Sequence, residues 1–114
     1  MNSPFDTGQN ILIANMLIYT SRNGGNYFYL GIENDKVYFS IPNRQQPERP
    51  FQKGITNTQF TKLLQTLVNN GAVVTKDFPF RDCRIAAFYG IVNTLNPNTI
   101  NKTHDRISLL NFQL

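Results

Sequence analysis

The feature that constrains this chain most is an amphipathic helix with a start signal and a stop signal. Thr56 can cap the first turn, and Gln59 follows three residues later, which is the spacing of a capping box. Apolar residues then recur every three or four positions and form one stripe, made of Phe60, Leu63, Leu64, Leu67 and Val68. Gly71 follows at the position of a left-handed C-cap. The pattern predicts a helix over 57–69 that buries one face.

A β-hairpin is predicted over 27–41, with Asn34 and Asp35 as a two-residue turn. In this register Glu33 faces Lys36, and one face of the strand pair is apolar throughout. That face carries Phe28, Leu30, Ile32, Val37, Phe39 and Ile41. The opposite face carries Tyr27, Tyr29 and Tyr38. We therefore expect the first set to be buried and the three tyrosines to be accessible.

The segments around the hairpin carry weaker signals. Residues 1–10 are expected to form a flexible arm, and residues 42–53, which contain three prolines, an extended linker within the domain. Residues 11–20 fit either a buried strand or a buried helix. We favour a strand over 16–21, because the glycine-rich turn that follows leads into the hairpin. A last strand is predicted over 106–112.

A second helix is predicted over 82–95, and it has two faces without charge. One face is a stripe of large apolar residues, Ile85, Phe88, Val92 and Leu95. The other face consists of small residues, Cys83, Ala86, Ala87, Gly90 and Thr94. Either this helix packs on two sides within the chain, or a partner docks on the small face through Cys83, Ala87, Gly90 and Thr94. A self-complementary use of that face would give a homodimer.

The length of 114 residues fits a single domain spanning 1–114. We predict an α+β fold in which a small antiparallel sheet of three or four strands, built on the hairpin, packs against the two helices. In the C-terminal half the predicted order is helix, turn, helix, loop and strand. That order resembles winged-helix modules, with residues 98–105 as the wing.

Eleven basic residues against seven acidic ones give a net charge of +4, which favours an acidic partner such as nucleic acid. The candidate phosphate contacts of the helical half are Lys76, Arg81, Arg84, Lys102 and Arg106. The alternative is that these residues form ordinary surface ion pairs with nearby aspartates. Tyr27, Tyr29 and Tyr38, with Lys36 and Arg44 nearby in the sequence, are candidates for stacking on the bases of a single strand. Their alternative role is simple packing on a half-buried sheet face.

No catalytic residue, metal site or cofactor is predicted. His104 is the only histidine, and its neighbour Asp105 does not make it part of a catalytic triad, because triads are assembled in space. Cys83 is the only cysteine, so an intrachain disulfide is excluded. It lies near the N-terminus of the predicted second helix, between Asp82 and Arg84, where a thiol can become reactive, and tight packing is the alternative interpretation of its small neighbours.

The remaining features predict a cytoplasmic protein. No apolar run is long enough to cross a membrane, and residues 1–9 contain no basic residue of the kind that begins a secretory signal. Taken with the charge, the sequence predicts a small non-enzymatic binding protein whose first candidate partner is nucleic acid. A protein-interaction module or a homodimeric accessory protein is the alternative.

Overall fold

The computed structural model describes residues 1–6, 11–104 and 106–110. Its N-terminal half is a four-stranded antiparallel sheet whose strands follow one another in chain order. These strands are β1 (Leu17–Thr20), β2 (Asn26–Glu33), β3 (Lys36–Ile41) and β4 (Phe51–Thr56). The strand favoured for the ambiguous segment 11–20 is therefore confirmed as β1. The predicted linker is shorter than expected, because its last three residues pair with β3 as the start of β4.

The hairpin of β2 and β3 is confirmed, but its register is the predicted one only near the turn. Asn34 and Asp35 both have positive φ angles, 53° and 61°, as a tight hairpin turn requires. Glu33 faces Lys36 as predicted. A bulge then interrupts β2 between Tyr29 and Gly31. Gly31 has a φ of 134°, a conformation that residues with a side chain rarely adopt.

The bulge reverses the faces of the N-terminal part of β2. Because side chains alternate along a strand, one additional residue moves Tyr29 opposite Phe39 and turns both Tyr27 and Tyr29 toward the core. The two tyrosines are buried, whereas Phe28 and Leu30 are half-buried on the outer face. The prediction of which β2 residues face the core was therefore wrong for these four positions, and Ile32, which was also expected to be buried, is 41% exposed. It is confirmed for Val37, Phe39 and Ile41 of β3.

The first helix, α1 (Asn57–Asn70), has the predicted caps at both ends. The Gln59 backbone N–H donates to Thr56 Oγ1 at 3.1 Å, and the Thr56 backbone N–H donates to Gln59 Oε1 at 3.1 Å. Gly71 ends the helix with a φ of 77°, and its N–H donates to the Leu67 carbonyl at 2.9 Å. Of the predicted stripe, only Val68 is exposed; Phe60, Leu63, Leu64 and Leu67 are buried.

The second helix, α2 (Arg84–Leu95), begins two residues later than predicted and is buried on two sides. Its small face packs against β1 of the same chain. A Cβ atom at Gly90 would overlap the carbonyl oxygen of Ile18, so the glycine permits the close approach of helix and strand. The Thr94 hydroxyl donates to the Gly90 carbonyl at 2.7 Å. Packing within the chain is thus the observed role of this face.

A second, three-stranded sheet forms from β5 (Ala72–Val73), β6 (Ile100–Thr103) and β7 (Arg106–Leu109), in the order β5-β7-β6. The predicted polar loop 98–105 was wrong over 100–103, which form β6. This strand lies at the sheet edge, and Ile100 is its one buried residue. The other three residues are polar, so the sequence lacks the alternation of apolar and polar residues by which a strand is recognised. The last predicted strand is confirmed as β7, and its positions 111–112 lie outside the described residues.

The α+β architecture is confirmed, and the buried side chains of both sheets and both helices form one cluster. The Asn2 backbone N–H donates to Asn96 Oδ1 at 2.8 Å, and the Phe5 ring lies 6.0 Å from the Phe60 ring. Residues 1–6 of the predicted arm therefore contact the helices, and residues 7–10 lie outside the described residues. The flexibility of the arm stays a prediction. Across the described residues, every helix is too short or too polar to cross a membrane.

Candidate functional site

A cleft of about 930 Å³ lies where the N-terminus of α2 meets the two sheets. Segments that are far apart in the sequence form its walls: β1 and the turn after it, the loop after β3, the residues before α2, and β6. The lining includes charged, aromatic and thiol side chains: Tyr19, Arg22, Tyr27, Arg44, Arg81, Asp82, Cys83 and Lys102.

Two arginines reach the cleft from loops of the N-terminal half. Arg22 belongs to the turn between β1 and β2, and Arg44 belongs to the loop between β3 and β4. Both are exposed, and neither forms an ion pair with any residue that the structure describes. Their positive charge is therefore available to a ligand.

Arg81 and Lys102 complete the basic lining from the C-terminal half. Nη1 of Arg81 donates to the carbonyl oxygens of Phe78 at 2.6 Å and Phe80 at 3.3 Å. Lys102 Nζ donates to the His104 carbonyl at 2.7 Å. Carbonyl groups hold both side chains in place without cancelling their charge, and a guanidinium bound through one nitrogen keeps further donors.

Asp82 is the one carboxylate among the described residues that line the cleft, and two cations outside the lining neutralise it. Its carboxylate lies 3.1 Å from Lys53 Nζ and 3.0 Å from Arg84 Nε. Burial alone would raise the pKa of this carboxyl group. Hydrogen bonds from the Arg84 side chain and backbone and from Lys53 outweigh burial and lower the pKa from 3.8 to about 2. Asp82 therefore stays ionised and paired, and it offsets little of the charge of the cleft.

Aromatic rings form one side of the cleft. The half-buried ring of Tyr19 meets the rings of Tyr27 and Tyr89 edge-on, with centroid distances of 5.4 Å and 5.8 Å. Lys102 Nζ lies 6.0 Å from the Tyr19 centroid. Burial, followed by a hydrogen bond with the Cys83 thiol, raises the pKa of Tyr27 far above its usual value of 10. The Tyr27 hydroxyl therefore remains neutral at physiological pH. The contacts of the Tyr19 ring with Tyr27 and Tyr89 hold the aromatic side of the cleft in place.

The structure brings four of the predicted site residues into this cleft: Tyr27, Arg81, Cys83 and Lys102. Lys76, Arg84 and Arg106 do not line it. Arg84 pairs with Asp82, as the ion-pair alternative predicted. The Arg84 Cζ atom also lies 4.5 Å from the centroid of the Phe80 ring. Arg106 Nε donates to Ser108 Oγ at 3.1 Å.

The predicted tyrosine platform is not present as a single surface. Tyr27 and Tyr29 are 5% and 6% exposed, because the bulge in β2 turns them into the core. The expectation that both rings are accessible for stacking was therefore wrong. Tyr38 is half-buried on the outer face of the sheet, and Lys36 Nζ lies 5.6 Å from its ring centroid.

The predicted small-residue interface on α2 is largely occupied by the chain itself. Ala87 and Gly90 are buried, Gly90 against β1, and Thr94 is half-buried. Cys83 is the exposed member of the set, and it faces the cleft. A partner would therefore reach Cys83 from the cleft side, while Ala87 and Gly90 lie beneath the surface.

Sequence reasoning placed Arg44 only beside the tyrosines of the sheet and assigned neither Tyr19 nor Arg22 to a site, because all three lie 40 or more positions before α2. One signal for the two arginines is present in the sequence. Neither has an acidic residue within three positions on either side, so neither has a local partner for its charge. The tyrosine carries no such signal, because its position depends on how β1 packs against α2.

Within 1–6, 11–104 and 106–110 no group of three or more histidine, cysteine or acidic residues is placed to hold a metal ion. Comparison with protein-family models, with characterised proteins and with solved structures found no match to this chain.

Proposed function

We propose that this protein is a non-enzymatic binding protein that holds the phosphate backbone of a nucleic acid in the basic cleft. The observation that supports the proposal most is the convergence of Arg22, Arg44, Arg81 and Lys102 on one concave surface. None of the four is paired with a carboxylate among the described residues. Cations that are gathered and left unpaired attract a polyanion, and each phosphate contact adds to the affinity by releasing counterions.

The residue types also suit an anionic oxygen ligand such as phosphate, and they do not suit a metal cation. A guanidinium group can donate two parallel hydrogen bonds to phosphate oxygens, and three of the four cations are arginines. The order of α1, α2 and the β6–β7 hairpin is that of the predicted winged-helix resemblance, but α2 is buried on two sides, so we propose binding through the cleft and not through this helix. We propose that the protein acts in the cytoplasm, as its composition predicts.

The alternative function is a protein-interaction module or a homodimer. It is favoured by apolar side chains that are exposed near β1, where Ile11, Ile13 and Leu17 are 59%, 66% and 51% exposed. Exposed apolar residues that lie close together are a feature of protein-protein contacts. Light scattering during size-exclusion chromatography tests this alternative, and a monomer at all accessible concentrations would exclude the homodimer.

The experiment for nucleic-acid binding compares two double variants by fluorescence anisotropy with a short labelled oligonucleotide at low salt. Arg22→Gln/Arg44→Gln removes two charges from the cleft. Arg49→Gln/Lys62→Gln removes two charges from exposed residues that do not line it. We expect the cleft variant to lose about tenfold in affinity. We also expect the slope of log binding constant against log salt concentration to decrease in magnitude by about 1.5. The control variant should stay within about twofold of the wild type.

Two outcomes would contradict the proposal. One is an equal loss for both double variants, which would indicate attraction by net charge without a defined site. The other is the absence of wild-type binding at about 50 mM salt, where electrostatic binding is strong. Circular dichroism of both variants establishes that the comparison is made between folded proteins.

A further inference from the structure

We infer that the nucleic acid held in the cleft is a single strand and that a double helix is excluded from it. This inference rests on the proposed function and narrows it to one class of ligand. It comes from the distribution of the cations around the cleft, from the lack of a free helix face beside the cleft that could enter a DNA groove, and from the aromatic ring inside the cleft.

The arrangement of the cations suits a ligand that can enter the cleft of about 930 Å³ and run between its walls. The cations come from four separate segments around this space, so a duplex resting on the rim would leave some of them without a phosphate. A single backbone can pass between them.

The helix whose N-terminus lines the cleft, α2, is unsuited to reading a groove of DNA. Recognition helices present long polar side chains on a free face. Seven of the twelve residues of α2 are buried, and the small face lies against β1. Arg84, in the first turn, is tied to Asp82. The N-terminus of α2 therefore contributes to the wall of the cleft, and no free side of the helix projects toward a duplex.

Tyr19 gives the cleft a contact that only an unpaired base can use. The ring is half-buried and lines the cleft together with Lys102. In a duplex the faces of the bases are covered by their stacked neighbours. In a single strand a base can leave the stack and contact an aromatic ring or a guanidinium plane while its phosphates contact cations. The combination of cations and one ring in the cleft fits that ligand.

Competition binding with wild-type protein tests the inference directly. A labelled single-stranded oligonucleotide is displaced by unlabelled DNA and RNA strands of one sequence and by the blunt DNA duplex of that sequence. We expect the DNA strand, the RNA strand or both to compete at least about tenfold more strongly than the duplex. Equal or stronger competition by the duplex would overturn the inference and leave the proposed function standing. If neither the strands nor a labelled duplex binds, both fail.

A pair of tyrosine variants adds a second, independent test. Tyr19→Leu removes the ring from the cleft, and Tyr38→Leu removes a half-buried ring from the outer face of the sheet. We expect Tyr19→Leu to reduce affinity for the single strand about fivefold or more without changing that for the duplex. An equal or greater loss for Tyr38→Leu would place the contact on the sheet and overturn the inference. The wild-type competition decides the question if Tyr19→Leu does not fold.

Discussion

Two groups of basic side chains lie in and beside the cleft, and they differ in what they contact. Lys53 and Arg84 pair with the Asp82 carboxylate, and Arg84 also packs over Phe80. Arg81 and Lys102 line the cleft, donate to backbone carbonyls and keep their net charge. Arg81 and Arg84 are three positions apart in the sequence, yet one is available to a ligand and the other stabilises the fold. The partner of a cation, and not its place in a basic segment, determines which role it has.

The largest effect on stability is expected from Gly90→Ala, which would displace α2 and so disturb the arrangement of these basic side chains. Helix propensity alone favours alanine by about 1 kcal/mol. The added Cβ would overlap the Ile18 carbonyl oxygen, which belongs to the backbone and cannot move aside as a flexible side chain can. We expect a net loss of about 2–3 kcal/mol in the free energy of unfolding, measured by urea denaturation. A variant more stable than the wild type would show that propensity dominates and that α2 does not depend on this close contact.

A smaller effect is expected from Asp82→Asn, which removes the carboxylate that neutralises Lys53 and Arg84. We expect a loss of about 1–2 kcal/mol in unfolding free energy at pH 7, allowing for the partial exposure of the pair. Because the pKa of Asp82 is lower in the folded protein, at about 2, than its usual 3.8, this stabilisation is complete above about pH 4. It is lost as the pH falls from about 4 toward 2.

Urea denaturation of both proteins between pH 7 and pH 2 checks this dependence, with Glu48→Gln, an exposed carboxylate, as the control. The difference between wild type and Asp82→Asn should narrow as Asp82 becomes protonated. A difference that does not change with pH would mean that the carboxylate charge is not what stabilises this region.

The smallest effect is expected from single substitutions of the two neighbouring arginines. Arg81→Gln should weaken oligonucleotide binding about threefold to fivefold, because it removes one available phosphate contact. Arg84→Gln should weaken binding less than twofold and should instead reduce stability by up to about 1 kcal/mol. Anisotropy titrations and urea denaturation of both variants measure the two effects. Equal losses of affinity for the two variants would contradict the claim that Arg81 is available to a ligand while Arg84 is occupied by Asp82.

The parts of the fold that sequence predicts well are those determined by local contacts. The caps of α1 involve residues three or four positions apart, so Thr56, Gln59 and Gly71 could be assigned from spacing alone. The hairpin turn is local in the same sense. Its bulge is not, because the position where β2 shifts register depends on its pairing with β1 and β3 and on the core beneath. Gly31 inside a strand was a signal for it, since an isolated glycine there often marks a bulge.

The cleft was predictable only in part, for the same reason. Arg81 and Lys102 could be selected as basic residues of the helical half, but nothing local separates Arg81 from Arg84. Arg22 and Arg44 join them through the packing of the first sheet against α2. That packing depends on Gly90, whose close contact with Ile18 links segments more than 70 residues apart. Contacts of this kind have no counterpart in hydrophobic periodicity.

The most direct test of the central claim uses Cys83, the single cysteine of the chain, which is exposed and lines the cleft. Its rate of labelling by an uncharged maleimide reports whether the cleft is open. We predict that a saturating single-stranded oligonucleotide slows labelling severalfold, that high salt restores the rate, and that Arg22→Gln/Arg44→Gln abolishes the protection at the same oligonucleotide concentration. An unchanged labelling rate, with the oligonucleotide shown by anisotropy to be bound, would place the nucleic acid elsewhere and contradict the assignment of this cleft.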